Sequence, residues 1–110
     1  MPATFQIKKA RNGKFHFNLL ATNGEIILSS QMYASKATAK KGIASVQNNS
    51  ADVEQFEARE NKKGEDYFVL KAKNHQIIGT SESYSSKAAM NKGIKSVSKN
   101  GPKAEIEDVS

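Results

Sequence analysis

The chain has 110 residues, no cysteine, 37% apolar residues and a net charge of +6. That length supports one core rather than two independent ones, the lack of cysteine excludes a disulfide framework and thiolate chemistry, and no apolar run approaches the roughly 20 residues of a membrane helix. The charge is spread, with seven Lys/Arg against three Asp/Glu in residues 1–54 and ten against eight in 55–110, so there is no single dense basic block.

Residues 4–9, TFQIKK, alternate apolar and polar, which predicts a half-buried strand with Phe5 and Ile7 on one face. Arg11-Asn12-Gly13-Lys14 then reads as a type I′ hairpin turn, in which both central residues take positive φ. Residues 14–20 alternate again, with Phe15, Phe17 and Leu19 facing inward, and Asn23-Gly24 marks a second hairpin into a third strand at 25–30. Ser35 sits where a helix cap is needed. Ala39, Ile43 and Val46 follow at i, i+4 and i+7, so residues from about 35 onward form a helix with one apolar face. Tyr33 is placed to pack back on that helix as a staple. Gly42 falls on or beside the apolar face; glycine there costs about 1 kcal/mol relative to alanine, which implies a close approach by another element. Asn49 supplies a residue suited to the left-handed conformation that ends many helices.

The same plan then recurs 51 residues later. YASKATAKKGIASV at 33–46 returns as YSSKAAMNKGIKSV at 84–97, with Ser86 as cap, Met90, Ile94 and Val97 as the apolar face, Gly93 for Gly42 and Asn100-Gly101 at the end. Phe56 and Ala58 stand for Phe5 and Ile7, Phe68 and Leu70 for Phe17 and Leu19, and Ile77 and Ile78 for Ile26 and Ile27. Val53 and Phe56 have opposite parity, so a bend or bulge is expected between them. His75 replaces Gly24, and histidine tolerates positive φ better than most residues. A final alternating stretch, AEIEDV, reads as a last strand, giving β-β-β-α-β twice. Half-chains of this size bury too little alone, so the copies share one core: a single domain, 1–110, with repeat 1 at about 4–54 and repeat 2 at about 55–108.

These residues resemble the YegP-like family of small bacterial tandem-repeat proteins, whose function is unassigned. The resemblance rests on Phe-x-Ile and Gly-x-Phe-x-Phe-x-Leu at 5–19, Asn-Gly-Glu-Ile-Ile at 23–27, and Tyr-x-Ser-Lys-Ala and Gly-Ile-x-Ser-Val at 33–46. It implies an α+β fold in which two tandem β-β-β-α-β repeats share one antiparallel sheet, with exchanged C-terminal strands and two helices on one face. It implies no catalytic residues. The second copy departs from the pattern at Asp66 (for Phe15), His75 (for Gly24) and Gly79 (for Leu28), so the halves are not equivalent.

His16 and His75 occupy different places in the repeat, and no cluster has metal-ligand spacing. Ser35-Lys36 and Ser86-Lys87 have the composition of a serine–lysine nucleophile, but their position is that of a helix cap and a first-turn lysine; a lysine beside free N–H groups can instead hold an anion. Lys8, Lys9, Arg11 and Lys14 flank the first turn and complete a candidate anion or nucleic-acid contact with Ser35, Lys36, Ser86 and Lys87. Leu20, Val69, Ile27 and Ile78 alternate away from the inner residues and form a candidate apolar patch on the other face. The resulting expectation is a monomeric, non-enzymatic cytoplasmic module of unknown function with no cofactor or metal and no membrane segment. It binds a protein partner or small ligand; the alternative is weak nucleic-acid binding through these lysines.

Overall fold

A computed structural model describes residues 3–109. Three strands, β1 (Thr4–Lys9), β2 (Phe15–Leu20) and β3 (Ile26–Ser29), lead into α1 (Lys36–Asn49). After a 3-10 turn at Val53–Gln55, the plan repeats as β4 (Phe56–Glu60), β5 (Asp66–Lys71), β6 (Ile77–Thr80) and α2 (Lys87–Asn100), and the chain closes with β7 (Glu105–Asp108). One seven-stranded sheet results, in the order β4-β5-β6-β3-β2-β1-β7. The C-terminal strand thus leaves its own repeat and pairs with β1 of the other, as the resemblance implied. It does so in parallel, Phe5 beside Ile106 and Ile7 beside Asp108, so the sheet is mixed. Both helices lie on one face, α1 over β2 and reaching β6, α2 over β5 and reaching β3, which ties the two repeats across their join. Phe5, Ile7, Phe17, Leu19, Phe68, Leu70, Ile43, Val46, Met90 and Val97 form a single core between sheet and helices.

A fourth strand forms in the second repeat but not in the first. Residues 54–57 occupy the positions of β7 counted back by one repeat, but the first two lie in the 3-10 turn and the last two, Phe56 and Glu57, open β4. One piece of chain cannot be the last strand of one unit and the first of the next. The expected bend between Val53 and Phe56 is the 3-10 turn, capped by the Asp52 carboxylate accepting from the Glu54 N–H, and it steers the chain directly into β4.

All four hairpin turns share one geometry, which is not type I′. In the first, the Gly13 N–H donates to the Ala10 carbonyl and the Ala10 N–H to Lys14, with Gly13 at φ +82° and Asn12 at negative φ. This is a type I turn followed by a left-handed residue. Gly24 and Gly64 take the same place, and His75 does so at φ +70°. Bulges follow between Leu19 and Leu20 and between Leu70 and Lys71. They rotate Ile27 and Ile78 into the core and leave Ile26 and Ile77 outside, and Val69 is itself buried, so the expected apolar patch does not form. Neither helix ends left-handed: Ser50 and Gly101 are right-handed, and the Asn49 and Asn100 side chains donate back to the Ser45 and Ser96 carbonyls.

The glycines inside the helices answer to tyrosines. A Cβ on Gly42 would collide with the Tyr33 hydroxyl and lie 2.7 Å from its Cζ, and Gly93 stands in the same relation to Tyr84. Each tyrosine also stacks on a core phenylalanine, Tyr33 on Phe17 and Tyr84 on Phe68. A pseudo-twofold axis relates the halves, and three contacts between repeat-equivalent residues mark it: Ser29 pairs with Thr80, Leu28 fills the space above Gly79, and Ser50 abuts Gly101.

Candidate binding surfaces

The serines and lysines singled out at the helix starts separate into different roles. Ser35 Oγ accepts from the Thr38 N–H at 3.2 Å, and the Thr38 hydroxyl answers with a bond from the Ser35 N–H. Ser86 Oγ accepts from the Ala89 N–H at 3.1 Å. Both serines are caps. Lys36 Nζ lies 2.8 Å from the Asp108 carboxylate and 5.9 Å from the centre of the Phe15 ring, so β7 holds it in place. Lys87 is exposed and has no such partner, because Asp66 replaces Phe15 and no strand lies beyond β4.

Phe15 pairs with Tyr33 just before α1, which brings the first hairpin turn and the start of α1 to one end of the sheet. Lys8, Lys9, Arg11, Lys14, Ser35 and Lys36 therefore gather there. Asp66 pairs with Tyr84 in the same way, and the antiparallel join of β3 to β6 puts Ser86 and Lys87 at the opposite end. The eight candidate residues do not form one site. β7, with Glu105, Glu107 and Asp108, also runs along the flank of the six-residue group.

The face without helices is polar apart from Leu20 and Val69. By alternation it carries Gln6 and Lys8 of β1, His16 and Asn18 of β2, Tyr67, Val69 and Lys71 of β5, and Glu57 and Arg59 of β4. Glu57 accepts from both Lys71 and Arg59, and these two hydrogen bonds hold its carboxyl below the usual range. His16 Nδ1 is buried without a hydrogen-bond partner. Burial pushes the phenols of Tyr33 and Tyr84 up, on the opposite, helix-covered side. Among the described residues no three His, Cys, Asp or Glu side chains cluster as a metal site would require, and no helix is long and apolar enough to cross a membrane.

Two clefts flank β4, one on each face of the sheet. One of about 460 Å³ lies between Gln55, Glu57, Lys71, Lys73 and His75. The other, of about 350 Å³, lies between Ala58, Arg59, Asp66, Lys87 and Met90. The counterpart of the first in the other repeat, between Thr4, Gln6, Leu20, Thr22 and Gly24, shrinks to about 140 Å³ with Glu107 of β7 in its wall. Sequence reasoning missed the β4 flank; the shared use of residues 54–57 was the available signal.

A tandem strand-exchanged α+β repeat with one bare sheet face defines a class of small pseudo-symmetric proteins. The chain belongs to the DUF1508 family, a domain of unknown function, whose pattern matches residues 10–57 and again 61–108. It is 63% identical over 106 residues to the UPF0339 protein YegP of Yersinia pestis, across 96% of this chain and 95% of that one. Two solution structures share the fold. A UPF0339 protein of Shewanella oneidensis has a TM-score of 0.91 at 47% identity, covering 99% of this chain and 92% of that one. The Escherichia coli protein yegP, of unknown function, has a TM-score of 0.92 at 44% identity, covering 99% and 94%.

Proposed function

We propose that the chain, 1–110, is a single non-enzymatic domain that acts as a monomeric binding module for a protein partner in the cytoplasm. The observation that supports this is the helix-free face of the sheet together with the unpaired flank of β4, a broad and largely polar surface. Such a surface suits recognition better than chemistry, since the Glu57 carboxylate on it is already engaged by Arg59 and Lys71. A photo-crosslinking residue at Tyr67, on the bare face, is expected to capture one discrete protein in cells that express the chain natively. The same residue at Lys41, on the outer side of α1, is expected to capture none. Absence of a product at Tyr67, or equal products at both positions, counts against the module.

Nucleic acid is the second reading, and the gathering of Lys8, Lys9, Arg11, Lys14, Ser35 and Lys36 at one end supports it. Two features weaken it: Lys36 is already ion-paired, and β7 brings acidic residues alongside. Titrating labelled protein with short single-stranded DNA and RNA tests it. Shifts at Lys8 and Arg11 that fade between low and moderate salt are the electrostatic signature; no shifts at either salt remove this reading.

A further inference from the structure

We propose that the outer edge of β4 is a strand-acceptor site, which takes an extended peptide of a partner protein parallel to β4. This rests on the protein-binding reading above and names the form the partner takes there. An open edge is common in sheets and means little alone. This edge differs because its repeat-equivalent is occupied within the same molecule. At the other end of the sheet, β7 lies along β1, the Ile7 carbonyl accepts from the Val109 N–H at 3.0 Å, and the Ala3 carbonyl accepts from Glu105. Ile7 and Phe5 are fully buried there. Ala58 stands in the place of Ile7 with its edge open and its side chain exposed, and Phe56 stands in the place of Phe5 only half-buried. The two clefts beside β4, one on each face, are the space that a missing strand leaves.

The vacancy follows from how the repeats are joined. Residues that would have run along the outer flank of β4 turn through Val53–Gln55 and become β4. The seat therefore begins beside Phe56.

The filled seat shows what the empty one selects. In β7 the apolar Ile106 lies beside Phe5 on the helix side, and two residues later Asp108 meets Lys36. Beside β4 the same spacing sets an apolar side chain next to Phe56 and a carboxylate next to Lys87. The residue between them faces Glu57, where Glu107 meets Gln6 in the filled seat. Glu57 carries a carboxylate, which already accepts from Lys71 and Arg59, so a donor in the middle place adds to those contacts without setting two carboxylates together. The pattern is apolar, then Lys or Gln, then Asp. The chain's own β7 carries Glu107 in the middle place and would set two carboxylates together, so it is a poor occupant of this seat.

The test uses the full ¹⁵N-labelled chain and the peptide acetyl-Gly-Ile-Lys-Asp-Val-Thr-amide. Saturable shifts are expected at Phe56, Ala58, Glu60, Lys87 and Met90, with little change along β7. Lys87→Glu is expected to weaken binding about tenfold, and a peptide with Lys in place of Asp to recover most of that loss, since like charges across strands repel as opposite ones attract. Lys87 is exposed and sits in the first turn of α2, where a carboxylate is tolerated, so the variant folds. No saturable shift at millimolar peptide, or an affinity indifferent to both charge reversals, overturns the site. Concentration-dependent shifts of the same amides without peptide would assign the edge to a second copy and also overturn it. A crosslink at Tyr67 with no peptide effect would leave the binding module standing and remove only the strand seat.

Discussion

Gly42→Leu lowers the melting temperature by on the order of 10 °C, the shift that about 2 kcal/mol produces in a domain of this size. The cause is the Tyr33 ring, which lies where the new Cβ must go, with Phe17 Cε2 only 3.0 Å from the same point. Tyr33 cannot retreat easily, because it stacks on Phe17 and its backbone pairs with Phe15. Gly42→Ala is the sharper test. Helix propensity alone makes alanine better than glycine by about 1 kcal/mol, whereas the contact with Tyr33 makes it worse, so the sign of the change separates the two effects. Combining Gly42→Ala with Tyr33→Phe removes the hydroxyl but leaves the ring carbon at 2.7 Å, and thus restores part of the loss. A melting temperature unchanged or raised by either Gly42 substitution contradicts the close approach of tyrosine and helix.

Gly79→Leu is expected to cost about 3 kcal/mol, measured by denaturant unfolding, the upper end of what overpacking a closed site does. Leu28 sits directly above Gly79, with its Cδ2 2.6 Å and its Cγ 2.7 Å from where a Cβ would stand, and Leu28 is 1% exposed. Leu28→Gly alone empties the same space at a comparable cost, since deleting a buried leucine costs about 2–5 kcal/mol. The exchange of both residues refills it from the other side. The double variant is therefore expected to be more stable than the sum of the singles by more than about 1 kcal/mol. Strict additivity would show that the two positions do not share one space.

The sequence carried the strands, helices and shared core because those rest on local periodicity repeated at a fixed offset. Phe5, Ile7, Phe17 and Leu19 alternate, and each helix follows a capping serine. What escaped depends on contacts between distant residues. Asn12-Gly13 has the composition of a type I′ turn, but the Ala10 to Lys14 pairing adds a residue and leaves only Gly13 left-handed. The alternation of Ile26 and Ile27 is local, while the bulge that turns Ile27 inward is set by the pairing with Leu20. Asn100-Gly101 resembles a left-handed stop, yet Gly101 is glycine because Ser50 lies against it. Of the candidate residues, the capping roles of Ser35 and Ser86 were legible, whereas the bond from Lys36 to Asp108 spans 72 positions and joins the first helix to the last strand.

The unlike residues on the pseudo-twofold axis bear on what the two halves do when cut apart. In a symmetric pair of identical chains, any residue on the axis meets its own copy. Here leucine meets glycine, serine meets glycine and serine meets threonine. Two copies of the first half would crowd leucine on leucine, and two copies of the second would leave glycine facing glycine across a hole. Mixed together, the separated halves are expected to pair with each other in preference to themselves, which size-exclusion chromatography of the halves alone and mixed would show. On that expectation each repeat is shaped to the other at the axis and not to its own copy.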